Sequence, residues 1–206
     1  MCENRAMSAH KERKGIGCMT KVLFIRHGEP DYSQVEGKKY AGHGLSLARL
    51  TEKGIQQAEE VSRDARLDNA EIIISSPYTR ALQTASIISK NRNLDIKVDL
   101  DLHEWHPDLT YQYSTIEEVM KAVKLCNENK GVCPPGCEMN FENLEDVFIR
   151  VKNCLLKYMD YSKIIVVAHG IVMRQFAYDS KIPFCDVKEV DFDERFEWVG
   201  YVSDLL

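Results

Sequence analysis

The stretch that decides the fold is Lys21-Val-Leu-Phe-Ile25, which runs directly into Arg26-His27-Gly28-Glu29. A second stretch of the same kind, Lys163-Ile-Ile-Val-Val-Ala168, runs into His169-Gly170. Uninterrupted β-branched runs are typical of strands that are buried on both faces of a parallel sheet. Ligands of such sheets bind at the carboxyl ends of the strands. The two imidazoles are therefore predicted to face one pocket for an anion.

Strand-like segments alternate with helical ones along the rest of the chain. Besides residues 21–25 and 163–168, apolar runs predict strands at 71–74, at 96–100 and around 195–202. This alternation is typical of an α/β sandwich built around a mostly parallel sheet. We therefore predict an α/β fold.

Capping residues predict where the helices begin. Thr51 and Asn143 are suitable N-caps, and Ser76-Pro77 supplies an N-cap followed by the first helical position. A further helix is expected near 171–179, directly after the second His-Gly pair.

Three segments lack clear periodicity. Residues 1–19 are polar and mixed in charge, and we expect them to form a mobile extension before a domain that spans 20–206. Residues 29–49 are rich in Gly, Tyr and Ser, the composition of a long loop. Residues 105–140 are irregular apart from one short helix, which the capping box Thr115-x-x-Glu118 predicts.

The composition is that of one globular domain and excludes several function classes. The chain has 206 residues, 44% of them hydrophobic, and a net charge of −5. A nucleic-acid-binding protein would carry an excess of Lys and Arg, so no nucleic-acid partner is expected. No stretch approaches the roughly 20 apolar residues that span a bilayer. Because a secretory signal is also absent, we expect a cytoplasmic protein without a membrane partner.

The seven cysteines are scattered and odd in number, which predicts reduced thiols. Cys133-Pro-Pro-Gly-Cys137 fits a metal-ligand pair, a disulfide loop or a turn with two incidental thiols, and the last is the preferred interpretation. His103 and His106 flank Glu104 loosely, so a metal site there is disfavoured. No metal is predicted.

Ionisable groups stand where four of the predicted strands end. Arg26 and His27 follow the first strand, and Arg80 lies in the first turn of the helix after the second. Glu104 follows the third strand, and His169 follows the strand at 163–168. If these ends converge, one pocket holds two guanidinium groups, two imidazoles and one carboxyl group.

This set of groups suits phosphate chemistry. Arginine presents planar donors that match phosphoryl oxygens, and a neutral imidazole can attack phosphorus to form a phosphohistidine. A carboxyl group would protonate the leaving alkoxide and then deprotonate the attacking water. Gly28 and Gly170 would let the main chain approach the ligand closely. Each residue alone has an ordinary structural explanation, so only the combination indicates function.

The combination resembles the histidine phosphatase superfamily, the phosphoglycerate mutase-like proteins, over residues 21 to about 180. In chain order, the resemblance rests on Phe24-Ile-Arg-His-Gly-Glu29, Leu50-Thr51-x-x-Gly54-x-x-Gln57-Ala58, Ser75-Ser76-Pro77-x-x-Arg80-Ala81-x-x-Thr84-Ala85, Leu102-His-Glu104 and Val167-Ala-His-Gly170. Glu142 and Arg150 also share the spacing of the helix that precedes the last motif.

The resemblance implies a three-layer α/β/α sandwich in which residues 105–140 form a variable cap over the pocket. It implies that His27 is the phosphorylated nucleophile and Glu104 the proton donor. It also implies that Arg26, Arg80 and His169 bind the phosphoryl group, and that neither a metal nor an organic cofactor takes part.

The sequence departs from the family pattern in places that bear on the substrate. Ser33 stands where the family usually has an Asn whose amide helps to hold the phosphate, and it is our candidate for that role. The residues after Glu104 lack the Gly and Glu typical of the mutase branch. We therefore expect a phosphomonoesterase acting on a small phosphorylated metabolite. A phosphoprotein substrate, a phosphoglycerate-type mutase and a non-catalytic phosphate-binding module stay open, and the oligomeric state is not predicted.

Overall fold

The structure is a computed structural model that describes residues 19–201. Its strands are β1 Thr20–Arg26, β2 Pro30–Asp31, β3 Arg49–Leu50, β4 Ile72–Ser75, β5 Ile96–Val98, β6 Lys163–Ala168 and β7 Val187–Phe192. Five of them form the central sheet in the order β5-β4-β6-β1-β7. Neighbours among β5, β4, β6 and β1 run parallel, whereas β7 pairs antiparallel with β1. The predicted mostly parallel sheet is therefore confirmed.

The helices are α1 Ser33–Glu36, α2 Glu52–Val61, α3 Thr79–Arg92, α4 Ile116–Glu128, α5 Leu144–Leu156 and α6 Gly170–Arg174. Single turns of 3₁₀-helix occupy Gly42–Leu47, Ala65–Leu67 and Leu100–Leu102. Thr51 is the N-cap of α2, because its side chain accepts a hydrogen bond from the Gly54 N–H at 2.9 Å.

Alternation along the central strands produces the three layers. On β1, Leu23 and Ile25 pack with α2 and α3 on one face of the sheet. Val22 and Phe24 point to the other face and pack with α4, α5 and α6. Successive side chains of a strand point to opposite faces, so a run that is apolar throughout supplies two cores at once. The α/β/α sandwich is confirmed.

The prediction of a last strand around 195–202 was wrong. The last strand of the described chain is β7, and residues 193–201 follow it without regular structure. Their aromatic side chains cover α5 instead: Phe196 and Trp198 both lie 6.4 Å from Phe148, measured between ring centroids. Their apolar character reflects this packing and not a place in the sheet.

Two predicted helix boundaries differ from the structure. Helix α3 begins at Thr79 with Tyr78 as its N-cap residue, two positions later than Ser76-Pro77 suggested. The Ser76 hydroxyl accepts a hydrogen bond from the Tyr78 N–H at 3.3 Å, so it caps a turn that precedes the helix. Helix α6 ends at Arg174 and not near residue 179.

The segments expected to be irregular contain more structure than predicted. The region from 29 to 49 includes β2, α1, a 3₁₀ turn and the start of β3. The capping box Thr115–Glu118 is present, but the helix that it starts has 13 residues. Both segments meet in one apolar cluster, in which Val35 and Leu45 pack with Tyr113. Whether 105–140 acts as a cap stays a prediction.

The ends of the chain bear on two other predictions. The proposed mobile extension at 1–19 lies outside the described residues except for Met19, and the domain is described only as far as residue 201. Within 19–201, no helix is long and apolar enough to cross a membrane.

Candidate active site

The carboxyl end of the sheet carries the predicted ionisable groups. Strands β1 and β6 pair in parallel with Arg26 opposite Ala168, so the residues that follow each strand emerge side by side. As a result, the ring centroids of His27 and His169 lie 5.1 Å apart. A cavity of about 240 Å³ opens at this edge. Among the described residues, the charged and imidazole side chains that line it are Arg26, His27, Arg80, Glu104 and Arg174.

The hydrogen bonds of His27 define which ring nitrogen carries the proton. Its Nδ1 lies 2.8 Å from the carbonyl oxygen of Gly28. A carbonyl only accepts, so Nδ1 is the protonated nitrogen. On the other side of the ring, Arg80 Nε donates to Nε2 at 3.1 Å. The Nε2 lone pair thus faces a guanidinium group that lines the cavity. An imidazole without a proton on this nitrogen is the form that a nucleophile requires.

His169 lies behind His27 and does not itself line the cavity. Its side chain is fully buried, and its Nε2 lies 2.7 Å from the Ser76 hydroxyl. Its Nδ1 has no hydrogen-bond partner within the described chain. The structure therefore places His169 next to His27, but in a layer that does not line the cavity.

Burial keeps both imidazoles neutral. It lowers the pKa of His27 well below the ordinary 6.5, and the positive charges of Arg80 and Arg26 act in the same direction. Burial, followed by the charge of Arg80, also lowers the pKa of His169 well below that value. A neutral His27 retains the lone pair that a nucleophile needs.

We expect His27 and His169 to stay neutral at about pH 6, where an ordinary imidazole is mostly protonated. Below about pH 6.5 these two histidines take up protons in the unfolded chain but not in the folded chain. The free energy of unfolding is therefore expected to decrease as the pH falls below about 6.5, whereas above that pH the two histidines do not lower it. Histidine-selective NMR titration of the folded protein measures this, with the urea-unfolded chain as control. A pKa at or above the ordinary value for either ring would contradict the prediction.

Arg26 lines the cavity and is held there by main-chain and aromatic contacts. Its Nη1 donates to the carbonyl oxygen of Ile182 at 2.5 Å, and its Cζ lies 4.3 Å from the centroid of the Phe184 ring. Its Nε is buried without a hydrogen-bond partner among the residues described. A Cβ at Gly170 would lie 3.6 Å from Arg26 Cζ, an ordinary van der Waals contact, so the guanidinium does not require a glycine there.

Glu104 lines the same cavity and faces the start of α6. Its Oε1 accepts hydrogen bonds from the N–H groups of Trp105 at 2.9 Å and Val172 at 3.3 Å. Its Oε2 accepts from the N–H of Ile171 at 3.3 Å. The first N–H groups of a helix have no partner within the helix, so the carboxyl group is oriented by donors that are free to bind it.

A half-buried ion pair holds the loop that carries Glu104. Arg150 donates through Nε to Glu142 at 2.7 Å and through Nη1 to the carbonyl oxygen of His103 at 2.8 Å. Glu142 in turn accepts from the His106 N–H at 3.1 Å. The residues on both sides of Glu104 are therefore bound to one ion pair. The sequence motifs gave only the spacing between Glu142 and Arg150, and these contacts explain that spacing.

Ser33 is not brought to the cavity. Its side chain is exposed, and its hydroxyl donates to Asp31 Oδ1 at 2.5 Å. The neighbouring Tyr32 lines the cavity in its place. The structure thus gives no support to a phosphate-binding role for Ser33.

Gly28 serves packing and not the approach of a ligand. Its N–H donates to Thr84 Oγ1 at 3.1 Å, and it is not part of the cavity lining. A Cβ at this position would lie 2.4 Å from the carbonyl oxygen of Gly54, at the start of α2. The glycine is required because two main chains come into contact there.

Replacing Gly28 with alanine is expected to destabilise the protein by about 1–3 kcal/mol, the usual cost of forcing an extra methyl group into a packed site. Urea denaturation measures the free energy of unfolding. Gly37→Ala is the matched control, because a Cβ there has only one neighbour, 3.4 Å away, and the backbone φ is −61°. Equal free energies of unfolding for the two variants would show that the close approach to Gly54 does not make an added methyl group at Gly28 costly.

Sequence reasoning missed the apolar part of the cavity. Ile116, Val119, Met120 and Val123 line it from α4. Their spacing of i, i+3, i+4 and i+7 is that of one helix face, and together with the capping box it could have identified this wall. Residues treated only as a short helix in an irregular segment therefore belong to the site.

The other titratable clusters do not form a recognisable metal site. Within 19–201, no group of three or more His, Cys, Asp or Glu side chains is placed to hold a metal ion. The thiols of the described cysteines are free, including Cys133 and Cys137. The rings of His103 and His106 are tilted by 38° to each other with centroids 4.3 Å apart, and burial lowers the pKa of His106 to about 4.

Comparison with known proteins agrees with this geometry. The family model "Histidine phosphatase superfamily (branch 1)" matches residues 22–184. A probable phosphoglycerate mutase, GpmB, of Enterobacter sp. (strain 638) is 29% identical over 91% of this chain and 92% of its own. Phosphoserine phosphatase 1 of Hydrogenobacter thermophilus is 27% identical over 76% of this chain and 74% of its own.

A solved structure shows the same fold. A mutant phosphoserine phosphatase from Entamoeba histolytica, crystallised in complex with phosphoserine, superposes with a TM-score of 0.54 and 29% sequence identity. The match covers 76% of this chain and 77% of that protein.

Proposed function

Because this chain belongs to the histidine phosphatase superfamily, branch 1, we propose that it is a phosphomonoesterase that acts on a small phosphorylated metabolite through a phosphohistidine. The observation that carries the proposal is the environment of His27. The ring is 4% exposed, its Nδ1 is bonded to the Gly28 carbonyl, and its Nε2 faces the Arg80 guanidinium. An imidazole held in this way is prepared to attack phosphorus.

In the first step, His27 Nε2 bonds to phosphorus while the bond from phosphorus to the ester oxygen breaks. Arg26 and Arg80 stabilise the negative charge that spreads over the phosphoryl oxygens. The departing alkoxide takes a proton from the Glu104 carboxyl group. The products of this step are the free alcohol and the phosphorylated enzyme.

In the second step, a water molecule attacks the phosphohistidine. Glu104 removes a proton from the water as the bond between phosphorus and Nε2 breaks, and inorganic phosphate leaves. The main-chain N–H groups of Trp105, Ile171 and Val172 orient the carboxyl group, which supports this role. No step of the proposal uses a metal ion or an organic cofactor.

The names of the GpmB relatives favour a second candidate, a phosphoglycerate-type mutase. A mutase returns the phosphoryl group to another position of the substrate, whereas a phosphatase releases it to water. The cavity offers few polar groups for an acid of this kind, and for this reason we place hydrolysis first.

The proposal is tested by rapid quenching of the enzyme with a ³²P-labelled phosphomonoester in the presence of a chelator. Hydrolysis through His27 predicts an acid-labile, base-stable phosphoenzyme and stoichiometric release of labelled phosphate. Label recovered mainly in a rearranged ester would favour the mutase. Bound but unreacted ester would favour a non-catalytic phosphate-binding module, and activity that is lost with the chelator would contradict metal independence.

A further inference from the structure

We infer that the cavity selects phosphomonoesters whose alcohol part is apolar, an alkyl or aryl group, over phosphorylated acids or sugars. This inference rests on the proposed function, because it names the substrate class of the same site. It follows from the contrast between the two ends of the cavity.

The inner end of the cavity is charged and has room for the phosphoryl group. Arg26, His27, Arg80 and Glu104 are placed there, and in the proposed mechanism all of them are used by the phosphoryl group and the ester oxygen. None of these four groups is then available to bind the rest of the substrate. Recognition of the alcohol part therefore depends on the remaining walls.

Those walls are largely apolar. One part is the face of α4 that carries Val119 and Met120, and another contains Ile182 and Phe184. Tyr113 also lines the cavity as a buried ring, and burial raises the pKa of its hydroxyl. A wall of this kind stabilises a ligand by excluding water from apolar surface.

A carboxylate on the substrate would find little to bind. Beyond the inner end, Arg174 is the remaining charged residue among the described residues that line the cavity, and its Nη2 donates to the carbonyl oxygen of Ser180 at 2.9 Å. An acidic substrate would have to compete with that bond and bring its charge against α4. Burial of an unpaired charge is costly, so phosphorylated acids are disfavoured.

The apolar wall is also incompletely covered by the protein itself. Met120 is 47% exposed although it lies on the cavity side of α4. Met adapts to ligands of different shape because its side chain is flexible and polarisable. An alkyl or aryl group bonded to the phosphoryl oxygen would extend along this surface and remove it from water.

The test measures two quantities on the full chain. Isothermal titration calorimetry compares ethyl-, butyl- and hexylphosphonate, which bind without being hydrolysed. Phosphate release gives kcat/KM for ethyl, butyl and hexyl phosphate, for 2-naphthyl phosphate, and for phosphoserine and 3-phosphoglycerate. Each buried methylene is expected to raise affinity and kcat/KM about three- to fourfold, or on the order of 100-fold from ethyl to hexyl.

Variants of α4 test whether this helix causes the dependence of kcat/KM on alkyl chain length. Met120→Gln is expected to reduce the hexyl-to-ethyl ratio of kcat/KM at least about fivefold, whereas Met120→Leu keeps the wall apolar and retains most of the ratio. Lys124→Gln is the matched control on the same helix, because Lys124 is exposed and does not line the cavity. If Lys124→Gln lowers the hexyl-to-ethyl ratio of kcat/KM as much as Met120→Gln does, the assignment of α4 as the wall for the alcohol part is overturned.

The outcomes separate this inference from the proposed function. Flat or falling affinity with chain length, or a preference for phosphoserine or 3-phosphoglycerate, overturns the apolar assignment while phosphate release still supports hydrolysis. Rising phosphonate affinity without hydrolysis of any ester supports the apolar assignment and overturns the phosphatase proposal. Absence of both binding and hydrolysis overturns both.

Discussion

Replacing His27 with alanine is expected to lower kcat/KM for p-nitrophenyl phosphate by about 10⁴-fold or more, because loss of a covalent nucleophile removes the reaction path and not merely one contact. The structure makes this substitution informative. His27 is held by the Gly28 carbonyl and by Arg80, and neither partner offers a nucleophile in its place. Added imidazole gives a second measurement, since a small nucleophile that enters the vacated space is expected to restore part of the activity.

The control for this variant is His43→Ala, which removes an exposed imidazole that does not line the cavity. We expect it to leave the rate close to that of the unaltered protein. Urea denaturation of both variants separates a chemical loss from unfolding. Activity of His27→Ala within about tenfold of the unaltered protein would contradict a covalent role for His27.

Replacing Glu104 with glutamine is expected to lower kcat by about 10²–10⁴-fold for an alkyl phosphate, the usual contribution of a general acid and base. Glutamine keeps the size of the side chain, and its one oxygen can still accept the bonds that Oε1 accepts from the Trp105 and Val172 N–H groups. It loses the Ile171 bond at Oε2, and it cannot supply or remove a proton. For p-nitrophenyl phosphate the loss of phosphoenzyme formation is expected to be smaller, because p-nitrophenolate leaves without being protonated.

Pre-steady-state release of the alcohol measures this difference between the two leaving groups. Glu117→Gln is the matched control, since it makes the same chemical change at an exposed position on α4. Equal losses for hexyl phosphate and p-nitrophenyl phosphate would show that Glu104 acts by positioning or by charge and not as the proton donor.

The central strands could be predicted because burial on both faces leaves a clear pattern. Strands β1 and β6 are continuous apolar runs, and each is followed at once by an imidazole. The edge strand β7 could not be predicted in the same way. Its buried Val187 and Val190 pack on opposite faces of the sheet and are separated by Lys188 and the exposed Glu189, so its apolar pattern is weaker than that of the aromatic segment after it. That segment packs on α5, a contact that no local pattern encodes.

The same distinction between local patterns and distant contacts applies to the predicted site residues. His27, Arg80 and Glu104 follow strands or begin a helix after one, and parallel strands bring such positions to a common edge. Ser33 was inferred from its place in a motif, yet it faces solvent and bonds to Asp31. A residue of a helix as short as α1 is positioned by its neighbours in space, which the order of the chain does not reveal.

By itself, the sequence determined the α/β fold and the charged end of the cavity, because strand burial and the residues that follow strands are local features. The tertiary structure alone decided the state and surroundings of those groups. The donor that faces Nε2 of His27 is Arg80, 53 positions away in the chain. The apolar wall is formed by α4, which packs with residues 32–48. Both are contacts between distant parts of the chain, and so they exist only after the chain has folded.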